Sequence, residues 1–176
     1  MQRKTLADAE CPIARSLERV GEWWSILIMR DALHGLRRFD EFTRSLDIAP
    51  NMLTRRLNSL VEDGLLERRA YSERPLRHEY VPTAKGEDFG GVLLALVAWG
   101  NRHYAPEGES VQIVERATGR RVEPVMVDMS DGRLLALGEC TVQPGPAASA
   151  AMRERLGSKP DLKGRLVVSS CFTQVE

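Results

Sequence analysis

The segment Trp23–Leu33, WWSILIMRDAL, constrains this chain more than any other. Its apolar residues (Trp23, Trp24, Ile26, Leu27, Ile28, Met29, Ala32 and Leu33) nearly surround a helical wheel. A helix with one apolar stripe can lie on a surface, but one that is apolar on all sides must be covered from several directions. The segment therefore predicts a central helix, and its neighbours in sequence must supply the cover. Gly35 closes it as a C-terminal cap.

Those neighbours are amphipathic. Ile13, Leu17 and Val20 share a face of a helix that opens on Pro12, a residue suited to a first helical position, and stops at Gly21. FDEFTRSL sets Phe39, Phe42 and Leu46 on one side, with Asp40 and Glu41 favouring the positive end of its dipole. After the turn DIAP comes a helix over 50–63, with Leu53, Leu57 and Leu60 inward and Gly64 as its stop. The apolar period then changes from 3.6 to 2. LLERRAY and RHEYV read as two strands joined by SERPL, a hairpin over 65–82. Thr83 caps a long helix over 84–104, whose stripe of Phe89, Val92, Leu93, Leu96, Val97 and Trp99 is wider than one neighbour needs. A second copy of the chain is the simplest partner for such a stripe.

Helix, helix, helix, turn, helix, hairpin, helix is the winged helix-turn-helix plan. The fold class is thus α+β. Residues 1–105 form a winged helix-turn-helix domain with a long dimerisation helix, and 106–176 form a small β-rich extension. In that extension VQIVER, RRVEPVMV and LLALGECTV read as short strands, with turns at Thr118–Gly119 and Asp131–Gly132. PGPAAS is a linker, a short helix follows near Ala150–Leu156, and an apolar strand lies near Leu166–Val168.

The plan carries a functional expectation. With its leucines locked inward, helix 50–63 presents Asn51, Thr54, Arg55 and Asn58 outward and Arg56 to one side. These are hydrogen-bonding types on a cylinder that fits the major groove of DNA. The hairpin adds Arg68, Arg69, Arg74 and Arg77 for phosphates or a flanking minor groove, and Arg38 joins them from the start of the third helix. Overall charge gives no help, since 25 basic residues balance 25 acidic ones. Affinity for DNA would have to come from local clustering. The competing reading places those arginines in ordinary ion pairs with Glu62, Asp63, Glu67, Glu73 and Glu79, on a protein-interaction module that no longer binds DNA. No nucleophile–base pair, phosphate loop or metal cluster marks an enzyme.

No segment approaches the roughly 18 apolar residues of a membrane span. MQRKTLADAECPIARS lacks the apolar stretch of a secretory signal. Three scattered cysteines, Cys11, Cys140 and Cys171, suit a reducing cytoplasm. His34, His78 and His103 show no ligand spacing, and the three tryptophans read as core and dimer contacts.

Several pieces between about residues 11 and 104 resemble the HxlR-type branch of winged-helix regulators, within the MarR-like superfamily. They are Cys11-Pro12, Gly21-x-Trp23-Trp24, Arg37-Arg38-Phe39, Leu53-Thr54-x-Arg56-Leu57, Glu62-Asp63-Gly64-Leu65, and Tyr80 followed by Thr83-x-x-Gly86. The resemblance implies a cytoplasmic homodimer, joined through helices 11–20 and 84–104, that binds double-stranded operator DNA, usually as a repressor. It also allows a small-molecule or oxidant effector. Some members sense oxidants through a cysteine before the first helix, which makes Cys11 the redox-sensing candidate. Arg15 and the helix N-terminus would favour its thiolate and Glu10 would oppose it. One departure is Ala49 before Pro50, where the family usually has Ser. The missing cap would cost about 1 kcal/mol. Residues 111–146 are similar to a zinc ribbon that has lost its ligands: Thr118-Gly119 and Asp128-x-x-Asp131-Gly132 stand where cysteines would. No zinc and no other cofactor are therefore expected.

Overall fold

The structure, a computed structural model, describes residues 5–136, 138 and 140–157. The strand expected near Leu166–Val168, and Cys171, lie outside the described residues. The chain forms two compact units, residues 1–123 and 124–176.

In the first unit the elements run α1 (Pro12–Val20), α2 (Trp23–Leu33), α3 (Phe39–Leu46), α4 (Pro50–Glu62), β1 (Leu66–Glu73), β2 (Leu76–Pro82), α5 (Ala84–Asp88) and α6 (Gly90–Tyr104). α2 is central: it packs on α1, α3, α4, β2 and α6. Its Ile28, Met29 and Ala32 join Phe42 of α3, Ile48 of the turn, Leu53, Leu57 and Leu60 of α4, and Leu65, Leu66 and Tyr80 of the wing in one buried cluster. The three α4 leucines are fully buried. Full burial of each stabilises by about 2 kcal/mol, and together they fix which side of α4 faces inward.

A polar contact adds direction to this apolar packing. Asp31, on α2, is 4% exposed. Its Oδ1 accepts from Arg30 Nε at 2.8 Å and its Oδ2 from Ser45 Oγ of α3 at 2.6 Å. Asp47 takes the left-handed conformation (φ 47°) at the end of α3, a region that Asp tolerates better than most residues, and the chain turns there into α4.

The far end of α4 is pinned by three further bonds. Asp63 Oδ1 accepts from Arg19 Nη1 of α1 at 2.6 Å, and the Asp63 carbonyl accepts from Lys85 Nζ of α5 at 2.6 Å. Thr83 Oγ1 donates to the Gly64 carbonyl at 2.6 Å and accepts from the Gly86 amide, so the residue named as a cap from sequence does cap α5. Gly86 is required for close approach: a Cβ there would lie 2.1 Å from the Leu65 carbonyl oxygen.

Two expectations need correction. The helix read as continuous over 84–104 is broken at Phe89 into α5 and α6. The pair Gly90–Gly91 follows that break, and glycine is the poorest helix former after proline. The strands expected in 106–143 are absent among the described residues, where isolated bridges join Val114 with Arg121 and Val127 with Leu134. Each bridge closes a tight turn of the same design. In the first unit Val122 N donates to Ile113 O, Glu115 N to Arg120 O, and Gly119 N to Glu115 O. In the second unit Leu135 N donates to Met126 O, Asp128 N to Arg133 O, and Gly132 N to Asp128 O. Gly119 and Gly132 sit at φ 71° and 72° in equivalent places, where an L side chain would be strained. A final helix, α7 (Ala150–Gly157), belongs to the second unit. Residues 106–123 fold with the first unit, with Asn101 Nδ2 donating to Val111 O and Arg121 pairing with Glu109 at 2.7 Å.

Replacing Asp31 by Ala leaves Ser45 and part of Arg30 without their buried acceptor. The expected loss is about 2 kcal/mol of unfolding free energy, read as a lower urea midpoint at unchanged slope.

Candidate nucleic-acid interface

The outer row of α4 is built by default. Leu53, Leu57 and Leu60 hold one side against α2, so the residues on the opposite side of the helix face solvent. Asn51, Thr54, Arg55 and Asn58 are all exposed. Without a side-chain cap at Ala49, the first turn satisfies itself in two ways. The Met52 amide donates to the Ala49 carbonyl at 3.0 Å and to Asn51 Oδ1 at 2.7 Å. That bond uses the Asn51 oxygen and leaves its amide group as a donor. Thr54 Oγ1 is turned back onto the Pro50 carbonyl at 2.8 Å, leaving its oxygen lone pairs and methyl on the surface.

Arg56 departs from the sequence reading. Its side chain is only 15% exposed and Nη2 lies 3.5 Å from Glu22 Oε2, at the junction of α1 and α2. Its Nε is buried without a hydrogen-bond partner among the described residues. It braces α4 against the core side and is not part of the outer row. The helical wheel sets Arg56 to one side of the outer row, but its pairing with Glu22, distant in sequence, could not be read from it.

The wing is a two-stranded antiparallel ribbon turned over at Arg74–Pro75, whose peptide bond is cis. Arg68, Arg69, Arg74 and Arg77 are exposed on it. Arg69 bonds Glu67 on its own strand. Arg68, Arg74 and Arg77 form no ion pair among the described residues, and neither does Arg55. Two of the acids that could have tied down the interface are engaged elsewhere, Asp63 with Arg19 and Glu67 with Arg69, while Glu62, Glu73 and Glu79 form no ion pair among the described residues.

The wing is joined to α3 at its root. Tyr80 N donates to the Arg37 carbonyl at 2.8 Å, and Arg38 bridges Glu79. Glu41 Oε2 accepts from the amides of both Arg37 and Arg38 at 2.8 Å. Those two amide bonds hold its carboxyl below the usual glutamate range, with the Arg38 and Arg44 charges adding to the effect. Arg38 itself is exposed and lies 4.7 Å above the Tyr71 ring.

Cys11 is half-buried at the start of α1. The tryptophans divide: Trp24 is partly buried and packs against the core, whereas Trp23, stacked on it, is 62% and Trp99 50% exposed. Exposed apolar residues line α1 (Ile13, Leu17) and α6 (Val92, Leu94, Leu96, Trp99). Among the described residues no group of three or more His, Cys, Asp or Glu is placed to hold a metal ion. None of their helices is long and apolar enough to cross a membrane.

Residues 19–108 match the profile of the HxlR-like helix-turn-helix family. Over 141 residues the chain is 36% identical to an uncharacterized HTH-type transcriptional regulator, Mb3122, of Mycobacterium bovis, spanning 80% of this chain and 89% of that protein. It is also similar to a candidate transcription factor of Pseudomonas aeruginosa, PA1374, at 75% identity and a TM-score of 0.62, covering 83% of this chain and 100% of that one. A second candidate transcription factor, PA1607, is 38% identical with a TM-score of 0.73, covering 81% of this chain and 100% of its own. All three likenesses are longer than the winged-helix elements and so take in part of the extension.

The Glu41 contacts give a pH signature. A carboxyl whose folded pKa is lowered contributes stability that is fully present above the unfolded value of about 4.3 and is lost as pH falls through the lowered folded value. Glu41→Gln should therefore unfold at a lower midpoint than the parent at pH 7. The gap should close as urea titrations are moved below about pH 4.

Proposed function

Since the chain belongs to the HxlR-like helix-turn-helix family of DNA-binding transcription regulators, we propose that it acts as a homodimeric repressor that reads an inverted-repeat operator with α4 and sets its register with the wing. The observation that carries the reading is the set of exposed hydrogen-bonding side chains on α4, with Arg55 left unpaired by every described acid. An unpaired, planar guanidinium on the outer face of a helix suits a guanine edge. Asn51, Thr54 and Asn58 flank it as base or sugar contacts. Arg38, Arg74 and Arg77 hold phosphates, which position the protein without reading sequence. Arg56 contributes indirectly, by holding α4 at its angle against Glu22.

Dimerisation is supported by the apolar rows on α1 and α6. Half-exposed Leu17, Val92, Leu96 and Trp99 would be an unusual surface for a lone chain, and burying them against a second copy removes it. A two-fold dimer sets two α4 helices in successive major grooves about 34 Å apart. Residues 1–105 would then be the binding and dimerisation part, with 106–123 folded onto the same unit and 124–176 an appended module. Such a protein works in the cytoplasm.

Selection from random duplexes at near-physiological salt should return an inverted repeat. Against that site, Arg55→Ala should cost about 10-fold in specific affinity, with binding to unrelated DNA unchanged. Arg74→Ala or Arg77→Ala should weaken binding to every sequence and flatten the salt dependence by about one counterion. Unchanged affinity in all three would refute this assignment.

Cys11 is proposed as an oxidant sensor, supported by its place at the N-terminus of α1, in the half of the domain that carries the dimer rows. Peroxide should release the parent from its operator, and the Cys11→Ser variant should stay bound.

A further inference from the structure

We infer that the cleft at the root of the wing seats one phosphate of the operator backbone, with Tyr71 and His78 as contacts beside Arg38 and Arg77. The inference rests on the DNA-contacting reading above and deepens it, because neither Tyr71 nor His78 belongs to the interface that the sequence suggests. The cleft measures about 440 Å³ and is lined by Arg38, Phe39, Asp40, Tyr71, Arg77, His78 and Tyr80. Three elements converge there: the start of α3, β1 and β2.

Its charge favours an anion. Arg38 and Arg77 are permanent cations, and the imidazole of His78 can donate in either protonation state. The one acid in the lining, Asp40, bonds Arg44 at 3.2 Å, which offsets its charge. Arg77 and His78 have no ion pair among the described residues.

The geometry is specific to Tyr71. Along the ribbon the register passes from Ala70 opposite His78 to Ser72 opposite Arg77, so Tyr71 is the extra residue of a β-bulge. A bulge interrupts the alternation of faces and re-aims a side chain. Here the re-aimed ring lies beneath the Arg38 guanidinium, 4.7 Å away. Stacking restrains an otherwise mobile side chain, so less conformational freedom is lost when its donors meet a phosphate. The phenol adds a further donor at the rim, since Tyr71 is 39% exposed.

The shape favours a polymer over a free effector. A small-molecule site encloses most of its ligand. This cleft is open rather than enclosed, so a phosphodiester can enter with its sugars outside. Its volume exceeds that of one phosphate and leaves room for the adjoining linkage.

The test uses the full chain and the duplex from the selection, with a methylphosphonate scan in which each backbone phosphate is neutralised in turn. One linkage per half-site should weaken parent binding by about 10-fold. At that linkage Arg38→Ala, Tyr71→Ala and His78→Ala should lose nothing more, whereas at every other linkage their own losses, several-fold each, should persist. Tyr71→Phe keeps the ring under Arg38 and should lose less than Tyr71→Ala. Should Tyr71→Ala fail to fold, His78→Ala and Tyr71→Phe carry the same cycle. The inference is overturned if Tyr71 and His78 variants bind like the parent, or if their losses are the same at all linkages, while Arg55→Ala still loses specific affinity. If Arg55→Ala is silent as well, the α4 reading itself has failed.

Discussion

The docking of Leu53, Leu57 and Leu60 onto α2 is the contact from which the rest follows. α2 is apolar nearly all round and can be stable only when covered by several partners at once. Its cover comes from α1, α3, α4, α6 and β2. Each covering element has one apolar row, and spending that row on α2 leaves the opposite row for solvent or a ligand. For α4 the opposite row is Asn51, Thr54, Arg55 and Asn58. For α6 it is still apolar, which is why a second copy of the chain is the natural occupant. One packing constraint thus generates both the exposed polar row of α4 and the exposed apolar row of α6.

Electrostatics sorts the arginines that packing leaves outside. The chain is neutral overall, and a neutral protein has no general pull on DNA. What matters is which charges cancel internally. Arg19 spends its charge on Asp63, Arg30 on Asp31, Arg56 on Glu22 and Arg69 on Glu67. Two of the acids that could have neutralised the interface, Asp63 and Glu67, are therefore engaged with Arg19 and Arg69. Arg55, Arg68, Arg74 and Arg77 carry no such partner among the described residues. The positive surface arises from where the pairs fall, with no excess of basic residues.

The helices and the wing were legible because each has a period that only one local structure satisfies. The four-residue turn Asp47–Pro50 and the cap at Thr83 could be read for the same reason: their residue types have few other uses. The outward row of α4 was legible once the leucines were assigned inward. What stayed hidden depends on contacts between distant residues. The wheel set Arg56 to one side of Arg55, but its burial against Glu22, across the fold, needed the structure. Tyr71 alternates like any strand residue until the register with β2 is known, and the bulge is a property of both strands. The break at Phe89 was visible as Gly90–Gly91, but the wide apolar stripe outweighed it in a reading by pattern. The extension misled in the opposite way. VQIVER and RRVEPVMV have strand composition, yet VQIVER takes part in one isolated bridge and RRVEPVMV in two, each beside a turn.

Those turns carry an argument of their own. Glu115, Thr118 and Gly119 occupy the places in one turn that Asp128, Asp131 and Gly132 occupy in the other, with the same three backbone bonds. In both, a side-chain oxygen at the fourth position takes the amide two residues on: Arg120 N donates to Thr118 Oγ1 at 3.1 Å and Arg133 N to Asp131 Oδ1 at 2.9 Å. The first position is tied too, Glu115 by the Thr118 hydroxyl at 2.6 Å and Asp128 by Ser130 at 2.7 Å. The Ser130 bonds hold the Asp128 carboxyl below its usual range. Asx and Ser/Thr turns of this kind order a loop with acceptors taken from the loop itself. A turn closed by its own oxygens is shaped before any ligand arrives. The oxygens that shape each turn are therefore engaged by the turn's own amides and hydroxyls.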